Sequence, residues 1–529
     1  MVELIIAEKP AASLKIATAL ADDKIEKKSY KDVYYYEIKH KGKKIIVAAA
    51  VGHLYNLTEK VKSGWKYPVF DIEWQPSYNV TKSEAFTKKY TDALKKICKE
   101  SDEYTVACDY DLEGSLIGYN VIRFICGKKD ANRMKFSTLT KDELVESYEK
   151  LNKHLDWPQI EAGETRHYAD FFYGINLSRA LTLSIKTTGR FVILSTGRVQ
   201  GPALKLIVDK ELEIRKFKSV PYWQIQLIGS VNKNVIEAWH KKDKFWDKKE
   251  AEKVLANTKG KNAFVSDVKK SRFKQAPPTP FDLTTLQLEA YRVFKINPKQ
   301  TLEIAQNLYL AGLISYPRTS SQQLPESLNY GKIIKNLAKQ KTYAGLCNEL
   351  LKGKLKPNNG KKIDPAHPAI HPTGEQGNLS DRDAKIYDLV VRRTLASFYI
   401  DSVRETVELN IDVNKEIFIT KGTRTVEEGW HKFYKPYVML EEQTIPHVEK
   451  GTKVEVKEIK LHNKETQPPK RYTPASLIRE LEKENLGTKA TRSEIIDTLY
   501  QRNYIKNESI EATELGIKTV ETLEKYIPE

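Results

Sequence analysis

The chain has 529 residues, 40% hydrophobic and 30% charged, which is room for three or four domains with real cores. Its formal charge of +18 points to a polyanionic partner such as nucleic acid, or else to a lysine-rich surface serving solubility or heat resistance. No N-terminal signal or bilayer-length apolar run occurs, and Cys98, Cys108, Cys126 and Cys347 form no C-x-x-C pair, so neither a zinc ribbon nor a disulfide framework is indicated and a reducing cytoplasm fits.

Residues 2–7 (VELIIA) read as a buried parallel strand, followed by Glu8-Lys9-Pro10 and a helix over 11–20. A carboxylate and an amine thus sit where the first strand ends, the edge at which open α/β sheets bind ligands. Residues 44–50 predict another buried strand, leading to Gly52-His53, and 104–108 a third. Asp109, Asp111 and Glu113 alternate as the chain leaves that third strand for a helix reaching about Ile125. With Glu8, one patch would receive four carboxylates, which suits a hard divalent ion such as Mg²⁺. The alternative is a solvated acidic turn that caps the following helix.

From about Asp156 to Ile214 the pattern is helical and basic, with a long helix opening at Pro202 and running to about Lys216. Ahead of it, Ser195, Arg198 and Gln200 lie in a polar, glycine-containing turn that could grip a sugar-phosphate backbone or simply join two helices. Residues 222–238 and 262–268 alternate as half-buried strands, and 269–280, charged and then proline-rich, read as a stiff crossing.

Asn297 and Pro298 then start a helix that Gly312 stops. Pro317 pushes Tyr316 into extended geometry, and Arg318 falls on the same side of that strand. A phenol beside a guanidinium can attack a phosphodiester while neutralising its charge, although most of the 28 tyrosines here must be packing residues. His367 and His371 each precede a proline, so they cannot be a helical metal pair. One of them could donate to a phosphate near Tyr316, or both could be structural.

Alternation returns over 403–460, as a second visit to the β region interrupted by the tyrosine segment. Thr473 and Pro474 open a helix ending near Gly487, and a second helix covers about 493–502, a helix-turn-helix or winged-helix pattern. Lys489, Thr491 and Arg492 lie at the start of its second helix. No G-x-x-x-x-G-K-[ST] motif is present, so a P-loop motor is not expected.

Taken together, IIAEKP, ACDYDLEG, LSTGRVQGPAL, PPTPFDLTTLQ, AGLISYPRTSS, AHPAIHPTG and LGTKATRSEII resemble, in order and over essentially the whole length, the type IA DNA topoisomerases, on the archaeal topoisomerase I and topoisomerase III branch. The resemblance implies a multidomain toroid mixing α/β, α and β parts. A Toprim domain would cover 1–156, a helical, winged-helix-like DNA-binding domain 157–215 and 469–529, a β-rich arch 216–280 and 403–468, and the catalytic tyrosine domain 281–402. It further implies ATP-independent relaxation of negative supercoils, and decatenation.

By resemblance, Tyr316 forms a 5′-phosphotyrosine on single-stranded DNA, Arg318 stabilises the transition state, and Lys9 protonates the leaving 3′-oxygen. Glu8 positions that oxygen, Asp109, Asp111 and Glu113 hold Mg²⁺ with Glu8 close by, and His367 lies near the scissile phosphate. Ser195, Arg198, Gln200 and Thr491 match positions that bind the single strand. Ser115 stands where bacterial relatives often carry a further carboxylate, which leaves the number of metal ions open. The chain stops before the Cys-rich zinc modules common in the family, and a truncation or a lost tail is expected. A monomer acting on negatively supercoiled DNA at the nucleoid, beside a helicase or single-strand-binding protein, is the implied setting. A Toprim nuclease or primase, or a basic clamp without chemistry, are the competing readings.

Overall fold

The computed structural model describes residues 1–186 and 193–526; positions 187–192, inside the stretch read as helical and basic, lie outside the described residues. Eight strands form in the first 133 residues: β1 (Val2–Ala7), β2 (Glu26–Tyr30), β3 (Val33–His40), β4 (Lys43–Ala49), β5 (Tyr55–Glu59), β6 (Ile72–Pro76), β7 (Glu103–Ala107) and β8 (Asn132–Arg133). Six of them make one sheet in the order β2-β3-β4-β1-β7-β8. β1 runs parallel to both β4 and β7, with Ala7 paired to Ala49 and to Ala107. Glu8 and the acidic run after Cys108 therefore leave the same edge side by side. The stretch read as the third strand is the seventh in chain order, because β2 and β3 add an antiparallel edge and β5 and β6 form a separate ribbon.

Alternation along β1 divides its side chains between two cores. Leu4 and Ile6 pack with Leu94, Val106 and Val121 under the helices Thr87–Lys99 and Leu112–Phe124. Ile5 and Ala7 join a second core that continues without a break through Leu308, Ile314, Tyr316 and Ile370. The tyrosine segment is thus docked on the sheet by apolar burial.

Two cysteines correct the expectation of no disulfide. Cys98 and Cys126 are bonded, with Cα atoms 5.3 Å apart, while Cys108 and Cys347 are free and buried. The pair is separated by 28 residues and is brought together by the helices after β6 and β7, a proximity that no local spacing encodes.

Strands β9 (Pro221–Val231), β10 (Asn234–His240), β11 (Ala263–Gln275), β12 (Ser402–Val413), β13 (Glu416–Glu427) and β14 (Lys453–Glu465) close a barrel in the order β10-β13-β12-β11-β14-β9. Two expectations change here. The run 222–238 is a hairpin rather than one strand, because Asn232 and Lys233 both take positive φ (49° and 67°) as a tight two-residue turn requires. The charged run after Lys269 belongs to β11, whose exposed residues pair with β12 as far as Gln275–Ser402, so only 276–280 make the crossing. The barrel interior is filled by Leu227, Val265, Leu409 and Phe418.

The helices Trp157–Lys186, Gln200–Lys216, Pro474–Lys483, Arg492–Gln501 and Glu514–Tyr526 share a core of Leu181, Leu204, Leu481, Leu499 and Ile517. A small hairpin of β15 (Ile505–Lys506) and β16 (Glu511–Ala512) follows the second helix of the turn, as in a winged helix. The first helix ends at Lys483 rather than near Gly487; Thr473 and Ser476 form its capping box. No helix among the described residues is long and apolar enough to cross a membrane.

Candidate active site where the tyrosine segment meets the sheet

Tyr316 is placed by backbone on both sides. Its N–H donates to the Ser137 carbonyl at 2.8 Å, the Ser315 N–H donates to the His371 carbonyl at 2.9 Å, and the Thr373 N–H donates to the Leu313 carbonyl at 3.0 Å. The proline-spaced 367–373 segment therefore serves as a rail that keeps the tyrosine strand extended. Asn297 caps the preceding helix with Pro298 at its start, and Gly312 ends it with φ +82°.

The phenol itself is buried, 1% exposed, and donates to Asp111 Oδ2 at 2.6 Å. Beside it Tyr309 donates to Asp109 Oδ1 at 3.1 Å. Burial, then the charges of Asp111 and Asp109, raises the Tyr316 pKa well above its ordinary value, while Arg318 opposes that shift. Burial works against the Arg318 charge too, but Tyr316, Asp111, Glu8 and Asp109 outweigh it and hold the guanidinium firmly protonated. Among the described residues Arg318 Nε is buried with no hydrogen-bond partner, a donor left over for an incoming anion.

Glu8, Lys9 and Asp109 meet where β1 and β7 end. Lys9 Nζ lies 3.3 Å from Glu8 Oε1 and 4.0 Å from Asp109 Oδ2. Burial, followed by the Glu8 charge, pushes the Asp109 carboxyl well above the usual range, with Lys9 opposing. The Glu8, Asp109 and Asp111 carboxylates supply an oxygen-only donor set of the kind a hard divalent cation takes, with their oxygens spread wider than 4.8 Å in this arrangement. Asp111 Oδ1 also accepts the Gly114 N–H at 2.8 Å and caps the helix Leu112–Phe124. Metal and cap, the two readings of this acidic run, thus share one residue. Ser115 is turned to Gln159, 3.0 Å away.

Glu113 departs from the expected patch. Its Oε2 meets His53 Nε2 at 2.8 Å and His167 Nε2 at 3.1 Å, and its Oε1 accepts from Arg166 at 2.8 Å. Burial alone would raise its pKa, yet His167, His53 and Arg166 drive it far below the carboxylate range. Three cationic or donor groups from β4's exit and from the helix Trp157–Lys186 draw it away from Asp109 and Asp111. The four carboxylates therefore divide into three and one.

His367 lies against the nucleophile candidate, its ring centroid 4.6 Å from that of Tyr316. Its Nδ1 pairs with Ser137 Oγ at 2.9 Å and its Nε2 with the Tyr110 carbonyl at 3.0 Å. Burial pushes its pKa down to about 4, so the ring is neutral at pH 7. His371 is buried against the Ala369 carbonyl and is structural.

Comparison with known proteins shows the family of the chain. A Toprim domain model matches residues 3–139, and a DNA topoisomerase family model matches residues 154–529. A DNA topoisomerase 1 of Methanocaldococcus jannaschii is 48% identical over 534 aligned positions, covering 100% of this chain and 69% of its own length. The chain belongs to the type IA DNA topoisomerases. A DNA topoisomerase 1 of Pyrococcus horikoshii is also 48% identical, over 99% of this chain and 78% of its own. The full-length topoisomerase I structure from Thermotoga maritima superposes with a TM-score of 0.74 at 25% identity, covering 99% of this chain and 82% of that one.

The strand-binding candidates of this topoisomerase separate in the same way. Ser195, Arg198, Gln200 and Thr491 line one groove of about 470 Å³ with Arg166, Asp170 and Arg502. Arg198 Nε donates to Asp170 at 3.0 Å, and Gln200 Nε2 donates to the Ser195 carbonyl at 3.1 Å. Lys489 is instead ion-paired to Asp364, which draws that carboxyl down to about 2 against the pull of burial. Arg492 turns inward, 9% exposed, and donates to the Leu486 and Gly487 carbonyls, so it clasps its own turn.

Sequence reasoning passed over four residues that build the site. Arg133, 1% exposed, donates to the carbonyls of Val106, Cys108, Met134 and Asp109 and so fixes the end of β7. Ser137 joins Tyr316 to His367, Tyr309 secures Asp109, and His167 holds Glu113. None lies in a motif read as chemical; the arginine between Asn132 and Met134 gave no signal at all.

Proposed function

We propose that Tyr316 is the nucleophile of this topoisomerase and that Glu8, Lys9, Arg318, Asp109 and Asp111 complete the reaction site. The observation that carries the reading is a phenol bonded to a carboxylate and facing a charged guanidinium with an unpaired N–H, beside an acidic patch in which Lys9 lies 3.3 Å from Glu8 and 4.0 Å from Asp109. The Tyr316 oxygen attacks the phosphorus and the bond to the 3′-oxygen breaks, leaving a 5′-phosphotyrosine. The phenol proton passes to the carboxylate it already bonds, and Lys9 gives a proton to the departing 3′-oxygen. Arg318 neutralises charge on the phosphoryl oxygens, and Glu8 keeps Lys9 and the 3′-end in place. On resealing the steps reverse, so no ATP is consumed.

Glu8, Asp109 and Asp111 are the residues that would hold Mg²⁺, which would offset the crowded negative charge and act as a Lewis acid, and Glu113 would join them only if it left its histidines. Ser195, Arg198, Gln200 and Thr491 track the single strand toward Tyr316, with Lys489 released from Asp364 as a phosphate approaches. The buried phenol makes the present arrangement a closed gate, which must open to admit a single strand beside the Tyr316–Asp111 pair before cleavage. A monomer suffices for this site, and the same gate serves decatenation. Single-stranded DNA comes from negative supercoiling at the nucleoid, or from a helicase or single-strand-binding protein beside it. The test is peptide mapping of the covalent DNA adduct: the nucleotide should be found on the peptide containing Tyr316, and its recovery on another residue would refute the assignment.

A further inference from the structure

Among the described residues, one group of histidines, cysteines and carboxylates brings three ligand atoms within 4.8 Å of one another: His53, Glu113 and His167. We propose that these three form a second divalent-metal site, for a borderline cation such as Zn²⁺ or Co²⁺, separate from the all-oxygen centre at Asp109.

The geometry needs little change to accept an ion. Ligands about 2.1 Å from a tetrahedral metal lie about 3.4 Å from each other. Glu113 Oε2 is 2.8 Å from His53 Nε2 and 3.1 Å from His167 Nε2, so the contacts have to widen by about 0.6 Å and about 0.3 Å. The two imidazole rings are tilted by 54° to one another with centroids 4.8 Å apart. Two nitrogens and one oxygen suit Zn²⁺ or Co²⁺, whereas Mg²⁺ prefers oxygen alone.

The surroundings hold the ligands in place. The second oxygen of Glu113 accepts from Arg166, an outer partner of the kind that orients a ligating carboxylate. His53 follows a strained turn: Val51, β-branched, takes φ +62°, and Gly52 takes +88°. The N–H groups of both turn residues reach the Glu8 carbonyl, at 2.8 and 3.3 Å. That turn therefore ties His53 directly to the backbone of Glu8 in the reaction site. The cluster opens on a cavity of about 620 Å³ that also includes Arg318, so a fourth position is left to water or a phosphate oxygen.

Such an ion keeps Glu113 bound to the histidines and unavailable to Asp109 and Asp111. A borderline metal thereby becomes an antagonist of the Mg²⁺ reaction; this regulatory half rests on the proposed acidic centre, while the binding half does not.

The experiment titrates the full chain with Co²⁺ in saturating Mg²⁺, reading visible absorption and stoichiometry, with Zn²⁺ as competitor. One equivalent should bind with a visible band that Zn²⁺ abolishes. His167→Ala and His53→Gln, checked for wild-type circular dichroism, should weaken binding by at least roughly 10- to 100-fold. Asp109→Asn should bind Co²⁺ as the wild type does. No Co²⁺ bound by the wild type would overturn the proposal, as would loss in Asp109→Asn with retention in the histidine variants. Cleavage is read separately: if Asp109→Asn cleaves normally while Co²⁺ binding stands, the acidic-centre reading fails and the metal site survives. Co²⁺ should inhibit wild-type cleavage and spare His167→Ala; equal inhibition of both would overturn the antagonism.

Discussion

Gly114 lies where the helix that Asp111 caps presses on the Asp109 backbone just after β7. A Cβ there would lie 2.2 Å from the Asp109 carbonyl oxygen and 2.9 Å from its carbon. Carbon–oxygen contacts begin at about 3.3 Å, so Gly114→Ala forces the two backbones apart by about 1 Å. No flexible side chain can absorb that shift. Overpacking of this kind costs about 1–3 kcal/mol of stability, which a chain of this size tolerates. The effect on chemistry is larger, because moving Asp109 or Asp111 by about 1 Å against Tyr309 and Tyr316 lowers the rate by roughly 100-fold. The assay is single-turnover cleavage of a single-stranded oligonucleotide in saturating Mg²⁺, paired with a thermal melt. Gly345→Ala is the control, since a Cβ there meets nothing within 4 Å. Cleavage by folded Gly114→Ala within a factor of a few of wild type would refute the argument that this glycine sets the acidic geometry.

Closure over Tyr316 should weaken in acid. His367 titrates near 4 when buried and near its usual value of about 6.5 when the gate opens, so the open state binds more protons below that value. The contribution is complete above pH 6.5, falls by roughly 2 kcal/mol at pH 5 and is gone below pH 4. Hydrogen exchange of the peptide bearing Tyr316 should show this loss in the wild type and not in His367→Gln; equal pH dependence in both would contradict it. Arg318→Lys keeps the charge but not the fork, and cleavage should drop by roughly 100-fold with oligonucleotide binding nearly unchanged. Chelation of Mg²⁺ should stop relaxation while leaving single-strand binding measurable by anisotropy, and loss of both together would argue for a structural ion.

The legible parts of the fold were those with a local physical cause. Apolar runs named β1, β4 and β7, and Asn297, Pro298 and Gly312 bounded the helix before Tyr316 because caps and chain stops act within a few residues. The same locality explains what was lost. Asn232-Lys233 carries no Gly and does not announce its turn, and the exposed lysines of β11 resemble a linker in composition although their backbone is paired with β12. The Cys98–Cys126 bond depends on two helices meeting.

At the site, the sequence placed Glu8, Lys9, Asp109, Asp111, Tyr316, Arg318 and His367 among the candidates, and the fold brings them together. It could not foresee that Glu113, one residue pair along, would be turned aside by His167, which lies 54 positions away on a helix. Nor could it tell that Arg492 answers its own turn while Arg198 faces the groove, since both are arginines beside a helix start.

The most direct test of the central assignment is cleavage of a 3′-labelled single-stranded oligonucleotide, trapped by denaturation, with wild type and Tyr316→Phe. The account predicts that the label moves with the wild-type protein and that the variant, folded and still binding DNA, forms no adduct. Free cut fragments persisting in Tyr316→Phe would contradict it and leave a water-using Toprim nuclease in its place.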